Sequence, residues 1–367
     1  MRKLLNPFGL LFCMGALVLA SCSKKVEPVQ GDDGPIVNPF ANYSDTVDAE
    51  DGFTYHFKNK SEHFSKVEWR FGDDSLSVED SPTHTFLATG KYTTDLKVFS
   101  STGTFSHRYV DINIRPEDVL QITAEKTGKP YELKITAKFK AKMAHIAWTF
   151  NDIDPATSTT TKVTYNDQLT VTRTFIYGSF NSFSVTATSD KGSTATVSSN
   201  ITPDGIVTDI TQSRINWNCT IENTDQGPNE GKAKLIDGNP DTKFGYYKAF
   251  PTPFIFFLQF GKQETVTLYA IENGNDSDSH RDPKEWVIEG SNDSTNGLSD
   301  GTWDTLDHQI LTKGFADYLS SIGQSATRYK RFFYYPIANP KPYTFYRWRI
   351  ISLFESAFQI EELRFYR

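Results

Sequence analysis

Wherever the pattern of apolar and polar positions along this chain is strong, it has a period of two, as strands with one buried face require. Val67-Glu68-Trp69-Arg70-Phe71 alternates and then meets Gly72-Asp73-Asp74, a turn signal; Trp69 and Phe71 fall on one side and belong to a core. Lys91-Tyr92-Thr93-Thr94-Asp95-Leu96-Lys97-Val98 is a second extended run, opened by Gly90. The Trp-x-Phe pattern returns at Trp148-Thr149-Phe150, with Asn151-Asp152 at the turn position, because Asn tolerates a left-handed backbone. Thr174-Phe175 and Phe183-Ser184-Val185-Thr186-Ala187 repeat the later strands. Further on, Phe254 to Phe260 is almost continuously apolar, which suits a strand covered on both faces. Phe345, Arg347 and Arg349 alternate with Tyr346, Trp348 and Ile350, and Trp286 stands among charged neighbours as a core residue of its own strand. No helical stripe of comparable strength accompanies these runs, so the predicted class is all-β.

A chain of 367 residues exceeds what one core supports, so about two to four domains are expected. The predicted units are 42–115, 116–204 and 205–367, with Pro203-Asp204-Gly205 marking the last boundary. Aromatic residues make up 14 % of the chain, which favours strands. The net charge of −7 argues against a nucleic-acid partner, because phosphate binding needs a concentrated basic surface.

Residues 1–21 read as a signal peptide: Arg2 and Lys3 precede an apolar stretch from Leu10 to Ala20 that is too short to span a bilayer as a mature helix. It ends in Leu19-Ala20-Ser21-Cys22, which resembles a bacterial lipobox. That resemblance implies cleavage before Cys22 and acylation of its sulfur, so that the mature chain is anchored in the outer membrane; the alternative is an ordinary secretory signal with an incidental Cys. Residues 22–41 carry Pro28, Pro35 and Pro39 without periodicity and read as a flexible tether. Lys24-Lys25 lacks the acidic run that resembles a surface-export signal of Bacteroidota lipoproteins; exposure to the exterior is still expected. Cys13 leaves with the signal and Cys22 is blocked, so Cys219 has no disulfide partner and reads as a buried small apolar residue.

The first unit, with Trp69, Phe71, Pro82-Thr83-His84-Thr85-Phe86 and Gly90-Lys91-Tyr92, resembles a PKD domain, an immunoglobulin-like sandwich. The second unit echoes it. In such a fold Asp73-Asp74 is turn chemistry and His84 a structural hydrogen-bonding residue. The third unit carries Lys234-Leu235-Ile236-Asp237-Gly238-Asn239-Pro240-Asp241-Thr242-Lys243-Phe244, Phe257-Leu258-Gln259-Phe260-Gly261, Arg281 to Asp293, and Gln359-Ile360-Glu361-Glu362-Leu363-Arg364-Phe365-Tyr366. It resembles the coagulation factor V/VIII type C (discoidin) domain, a galactose-binding-like β-jelly roll that also forms carbohydrate-binding modules. The expected architecture is therefore two immunoglobulin-like (PKD-like) sandwiches followed by that jelly roll.

Asp237 to Thr242 packs oxygen-bearing side chains into one turn, as a hard cation such as Ca²⁺ requires, although the spacing is not that of an EF-hand. The family resemblance implies a structural calcium here. Asp237 and Thr242 would supply side chains, Lys234 and Asn239 carbonyls, and Glu362 would close the site; Glu361 is its near neighbour across a strand bulge. The other reading is a metal-free Asp-Gly turn. Sugars are held in this fold by an aromatic ring on their C–H faces and by polar groups on their hydroxyls. Candidates are Asn275, His280 and Arg281 in a loop rich in donors and acceptors, and Trp217, Tyr246 and Tyr247 in stretches read as irregular.

No Gly-x-Ser-x-Gly elbow, His-Glu-x-x-His, phosphate-cradling loop or Cys-x-x-Cys pair occurs, and each segment is already assigned to a small β unit, so no enzyme is expected. The expectation is a lipid-anchored protein binding extracellular carbohydrate, with the sandwiches as spacers and with protein partners in a glycan-uptake complex. The rival is an adhesion or envelope-assembly protein that binds a protein partner through the same module.

Overall fold

The computed structural model describes residues 37–367 apart from 155–156, 158, 222–226, 240, 275–278 and 324–330. The chain is all-β, as the period-two pattern demands. Among the described residues two short α-helices interrupt it: α1 (Pro116–Val119), which opens on Pro116, and α2 (Phe315–Ser321).

The first sandwich is built from β1 (Tyr43–Val47), β2 (Thr54–Asn59), β3 (Lys66–Arg70), β4 (Leu76–Ser77), β5 (Thr83–Thr85), β6 (Gly90–Phe99) and β7 (Phe105–Ile114). A sheet in the order β1-β2-β5 faces one in the order β4-β3-β6-β7. Trp69 and Phe71 are buried together, and Tyr43 and Phe57 meet them at ring-centroid distances of 4.9 and 5.2 Å. Gly72 turns the chain at φ +88°, and a Cβ there would stand 2.8 Å from the Thr93 carbonyl oxygen, so the position requires glycine. Asp73 accepts hydrogen bonds from Ser75 and lies 2.8 Å from His84, whose ring stacks on Phe71 at 4.1 Å. This is a turn held by hydrogen bonds.

The second sandwich comprises β8 (Leu120–Lys126), β9 (Glu132–Phe139), β10 (Met143–Ile153), β11 (Thr160–Asn166), β12 (Thr170–Thr174), β13 (Asn181–Ser189), β14 (Thr194–Thr202) and β15 (Gly205–Val207). Its sheets run β12-β9-β8 and β11-β10-β13-β14-β15. Trp148 and Phe150 are buried as the echo of the first unit requires. The turn expected at Asn151-Asp152 does not form there. β10 continues through both residues, because Asn151 is tied to Ser182, Asp152 is paired with Arg173, and both remain in register with β11.

The third unit holds β16 (Arg214–Cys219), β17 (Phe244–Tyr246), β18 (Phe254–Thr265), β19 (Leu268–Asn273), β20 (Pro283–Ser291), β21 (Asp304–Ile310), β22 (Phe332–Pro336), β23 (Pro342–Leu353) and β24 (Phe358–Tyr366). A five-stranded sheet, β16-β18-β23-β20-β21, packs on a four-stranded one, β17-β24-β19-β22, to make the jelly roll. Tyr346, Trp348 and Ile350 point into its core with Trp286, each contributing roughly 2–3 kcal/mol through burial. Arg347 and Arg349 point outward, where both hold the buried Glu289 carboxylate at 2.7–3.0 Å. Cys219 is a buried thiol donating to the Ile221 carbonyl oxygen.

No free linker separates the units. The cores of the two sandwiches merge into one cluster. The Ser193 hydroxyl donates to the Phe86 carbonyl oxygen, the Thr194 N–H to that of Leu87, and Lys191 pairs with Asp51 at 2.9 Å. β15 completes a sheet of the second sandwich, and one residue later Thr208 exchanges two backbone hydrogen bonds with Arg367 at the end of the jelly roll. Phe180 of the second sandwich stacks on Tyr334 of β22, with centroids 4.2 Å apart and ring planes 5° from parallel.

Candidate functional site

Two constellations in the jelly roll carry chemistry. The first joins the turn after Ile236 to β24. Gly238 adopts φ +75° and donates its N–H to Glu362 Oε1 at 2.7 Å, across 124 residues of sequence. Asp237 accepts hydrogen bonds from the Asn239 N–H at 3.0 Å, from the Thr242 hydroxyl at 2.9–3.0 Å and from the Lys234 ammonium at 3.2 Å. Burial pushes its carboxyl up, but these donors outweigh burial and hold it below the usual carboxylate range. The Asn239 carbonyl oxygen accepts from the Thr242 N–H and hydroxyl.

Glu362 has the opposite balance. It is fully buried, and its Oε2 has no hydrogen-bond partner among the described residues; the nearest cation is the Arg364 guanidinium, at 3.8 Å. Burial pushes its carboxyl up to about 8, Arg364 opposes the shift, and Asp237 adds to it. Two carboxylates thus converge with an orphaned buried oxygen, beside the Thr242 hydroxyl and the Asn239 carbonyl. That donor set suits a hard divalent cation, and no group of three or more His, Cys, Asp or Glu residues among the described residues does. The Lys234 ammonium already sits on Asp237, placing one positive charge at the turn. Glu361 and Glu362 are distinguished by a bulge. The ladder to β19 pairs Glu272 with Glu362 and Asn273 with Ile360, leaving Glu361 out of register.

The second constellation lies where β17 meets β24 on the outer face of the four-stranded sheet. Gly245 pairs with Gln359, so Lys243 and Tyr247 flank Gln359 on that face. The Arg281 guanidinium lies over the Tyr247 ring, 4.8 Å from its centroid, and the Lys243 ammonium is 5.6 Å from it. Arg281 and Lys243 both donate to Gln359 Oε1, at 3.4 and 3.3 Å. Lys243 also faces Glu230 at 3.9 Å, and Glu230 Oε2 is buried with no hydrogen-bond partner among the described residues. A Cβ at Gly245 would stand 2.1 Å from that oxygen and 2.9 Å from the Tyr247 hydroxyl, so a side chain there would displace both groups from where they now stand. The result is an aromatic ring with cationic donors, an amide and an unsatisfied carboxylate oxygen around it.

The predicted ligand residues divide accordingly. Tyr247 and Arg281 come together. His280 stands at the rim, 3.6 Å from Glu355 and two-thirds exposed. Trp217 and Tyr246 do not join them, and of the stretches expected to be irregular those at Trp217 and Tyr246 are strands, while Tyr247 lies just beyond the end of β17. Trp217 belongs to β16 with its ring 6.0 Å from Phe256, and Tyr246 belongs to β17 with its ring edge-on to Phe250 at 5.5 Å. Both pack partly against the module's core, because strand parity turns them inward. Asn275 and Cys22 lie outside the described residues. Sequence reasoning missed Lys243, Gln359, Glu230 and Gly245. Lys243 and Gln359 stood within the motif runs, but nothing local marked them as neighbours.

Comparison with known proteins covers the chain in pieces. The family 32 CBM from C. perfringens NanJ, solved in complex with galactose, is 17 % identical over 44 % of this chain and 100 % of that one, with a TM-score of 0.33. The F5/8 type C domain of a Bacteroides fragilis protein is 14 % identical over 42 % of this chain and 95 % of that one, with a TM-score of 0.31. The PKD1 domain of the Vibrio cholerae metalloprotease PrtV is 22 % identical over 21 % of this chain and 98 % of that one, with a TM-score of 0.20. No curated protein matches the chain. Residues 33–114 match the family model of the PKD domain.

Proposed function

We propose that this chain is a non-catalytic lipoprotein of the outer membrane. In this reading it is anchored through acylated Cys22, faces the cell exterior, and captures extracellular carbohydrate with its C-terminal jelly roll. The observation that carries the reading is the convergence of Tyr247, Arg281, Lys243 and Gln359 beside the orphaned Glu230 oxygen. A sugar offers an apolar C–H face for the Tyr247 ring and hydroxyls that both donate and accept. Lys243 and Arg281 supply donors, and Glu230 supplies an acceptor oxygen that has no hydrogen-bond partner among the described residues. The sandwiches hold the module away from the lipid surface. A calcium ion held by Asp237, Thr242, Asn239, Lys234 and Glu362 would tie the first turn of the module to its last strand; its part is structural, and no binding step runs through it.

A glycan array with the full chain, followed by calorimetry on the best ligand, tests this reading. Tyr247→Ala and Arg281→Ala each weaken binding at least tenfold, about 1.4 kcal/mol, with unchanged melting. His280→Ala has a smaller effect. Failure of every glycan to bind, together with capture of a defined protein partner that Tyr247→Ala abolishes, replaces the carbohydrate reading with the adhesion one.

A further inference from the structure

The two ends of the first sandwich differ. One is taken up by the second sandwich: the Gly52 N–H donates to the Lys140 carbonyl oxygen at 2.7 Å, Asp51 pairs with Lys191, and the Ser193 hydroxyl donates to the Phe86 carbonyl oxygen. The described chain enters at the other end. There Phe40 exchanges two backbone hydrogen bonds with Glu62, and the Ala41 N–H donates to the Ser106 hydroxyl oxygen of β7. The start of β3 and the turn from β6 to β7 lie at this same end, because Lys66 pairs with Phe99 and Phe99 with Phe105.

Aromatic rings crowd the surface here. Strand parity puts Phe99, Phe105, His107 and Tyr109 on the outward face of their sheet, away from the buried Leu96 and Val98. Phe40 and Phe105 are each 58 % exposed, and Tyr109 is 59 % exposed. Along β7 the ring centroids are 5.5 Å apart from Phe105 to His107 and again from His107 to Tyr109, and Phe99 lies 6.2 Å from Phe105. A lone exposed ring needs no explanation, whereas a contiguous row marks a contact surface.

The charges around the row balance. The Lys97 ammonium stands 4.1 Å from the Phe105 centroid and 4.8 Å from that of Phe99, and Lys66 is 5.0 Å from Phe99. Glu68 pairs with Lys66 at 2.6 Å, His63 faces Glu62 at 4.0 Å, and His107 holds Asp95 at 2.8 Å. Both signs therefore rim the rings and neither dominates. Rings within a mixed-sign rim match the interfacial layer of a bilayer, where aromatic side chains settle among phosphate and ammonium headgroups.

We propose that this end of the first sandwich rests on the lipid surface, with Phe40, Phe105 and Tyr109 among the headgroups of the membrane that anchors the chain. The inference rests on the reading of Cys22 as acylated. Position supplies the occupant. Residues 23–36 join the fold at this end, and even fully extended they reach at most about 50 Å from the anchor. The anchor keeps the rings at high effective concentration beside the bilayer, so a contact made by a few of them suffices. The second sandwich, docked at the opposite end, faces away from the lipid.

The test uses the chain from Ser23 onward with an N-terminal polyhistidine tag, on zwitterionic phosphatidylcholine vesicles that carry a little nickel-chelating lipid in place of the natural anchor. Sedimentation gives the affinity. The double variant Phe40→Ser, Phe105→Ser binds about tenfold more weakly than the wild type with unchanged melting and unchanged glycan binding, and the gap persists in high salt. Ile215→Ser, which removes an exposed apolar side chain of the jelly roll, binds as the wild type does. A fluorophore on Thr102→Cys, in the turn from β6 to β7, is quenched by headgroup spin labels in the wild-type background and loses most of that quenching in the double variant. Equal affinity of wild type and double variant, or an equal loss in Ile215→Ser, overturns the proposal. A dimer in analytical ultracentrifugation that the double variant abolishes, with no gap on vesicles, gives the face to a second copy and overturns it too. Mass analysis of the chain recovered from cells separates the two readings. An acyl group on Cys22 with no vesicle gap leaves the anchor standing without the surface contact, and its absence from Cys22 overturns both.

Discussion

Removing the charge of Glu362 perturbs the turn in a way whose sign depends on pH and on calcium. Glu362→Gln keeps the shape and the acceptor for the Gly238 N–H, but it cannot ionise. In the metal-free chain the Glu362 carboxyl titrates near 8, against an ordinary value of 4.5. Below about pH 4.5 it is protonated both folded and unfolded and costs nothing. Between about 4.5 and 8 the unfolded chain ionises while the folded chain keeps its proton, so metal-free stability falls as pH rises. Above 8 the full penalty applies, of order 4–5 kcal/mol. Asp237, held below its usual range, works the other way: its contribution is present at neutral pH and lost only in acid, outside this window. A calcium ion held at the turn, as proposed, would bind the ionised pair and offset part of the penalty. At a hundredfold excess over its dissociation constant it adds about 2.7 kcal/mol, or about 5–10 °C for a module of this size.

The assay is thermal unfolding of the full chain at about pH 5.5 and about pH 8.5, with chelator or with excess calcium chloride. The wild type with chelator melts lower at the higher pH, and calcium restores it there most strongly. Glu362→Gln with chelator loses that pH dependence and gains no protection from calcium. A wild type indifferent to calcium at about pH 8.5, with a pH dependence that the Gln variant shares, refutes the reasoning.

Three further outcomes follow from the packing. Glu289→Ala leaves Arg347 and Arg349 without their buried counter-charge and costs about 3 kcal/mol in denaturant unfolding; a loss under about 1 kcal/mol contradicts the assignment. Gly72→Ala combines a left-handed backbone with a 2.8 Å contact on the Thr93 carbonyl, so it destabilises the first sandwich by at least about 2 kcal/mol in the same assay. Phe180→Ala removes the ring stacked on Tyr334 and uncouples the sandwich from the jelly roll. The sign is a second calorimetric transition and a broader distance distribution in solution scattering, and a single unchanged transition counts against the docking.

The strands were legible because their evidence is local. Trp69 with Phe71, Trp148 with Phe150, and Tyr346 with Trp348 and Ile350 announce a buried face within five residues, and all seven are buried. The turn at Gly72 was equally local. The turn expected at Asn151 failed because a left-handed tolerance is only a permission. Arg173, 21 residues from Asp152, and the register with β11 kept the strand straight. Trp217 and Tyr246 were misjudged because short strands without flanking alternation look like irregular chain, and parity then turned their rings inward.

By itself the sequence determined the class of fold, the approximate units, the core aromatics and the turn residues around Asp237, because each depends on neighbours a few positions away. Tertiary structure alone decided which polar groups meet. Gly238 finds Glu362 across 124 residues, Arg281 finds Gln359 across 78, and Phe180 finds Tyr334 between units. Those meetings depend on sheet order, on the bulge at Glu361 and on the stitched edge at Thr208, none of which leaves a periodic trace. Period-two alternation states which face of a strand is buried; it carries no information about which strand, or which unit, comes to lie beside it.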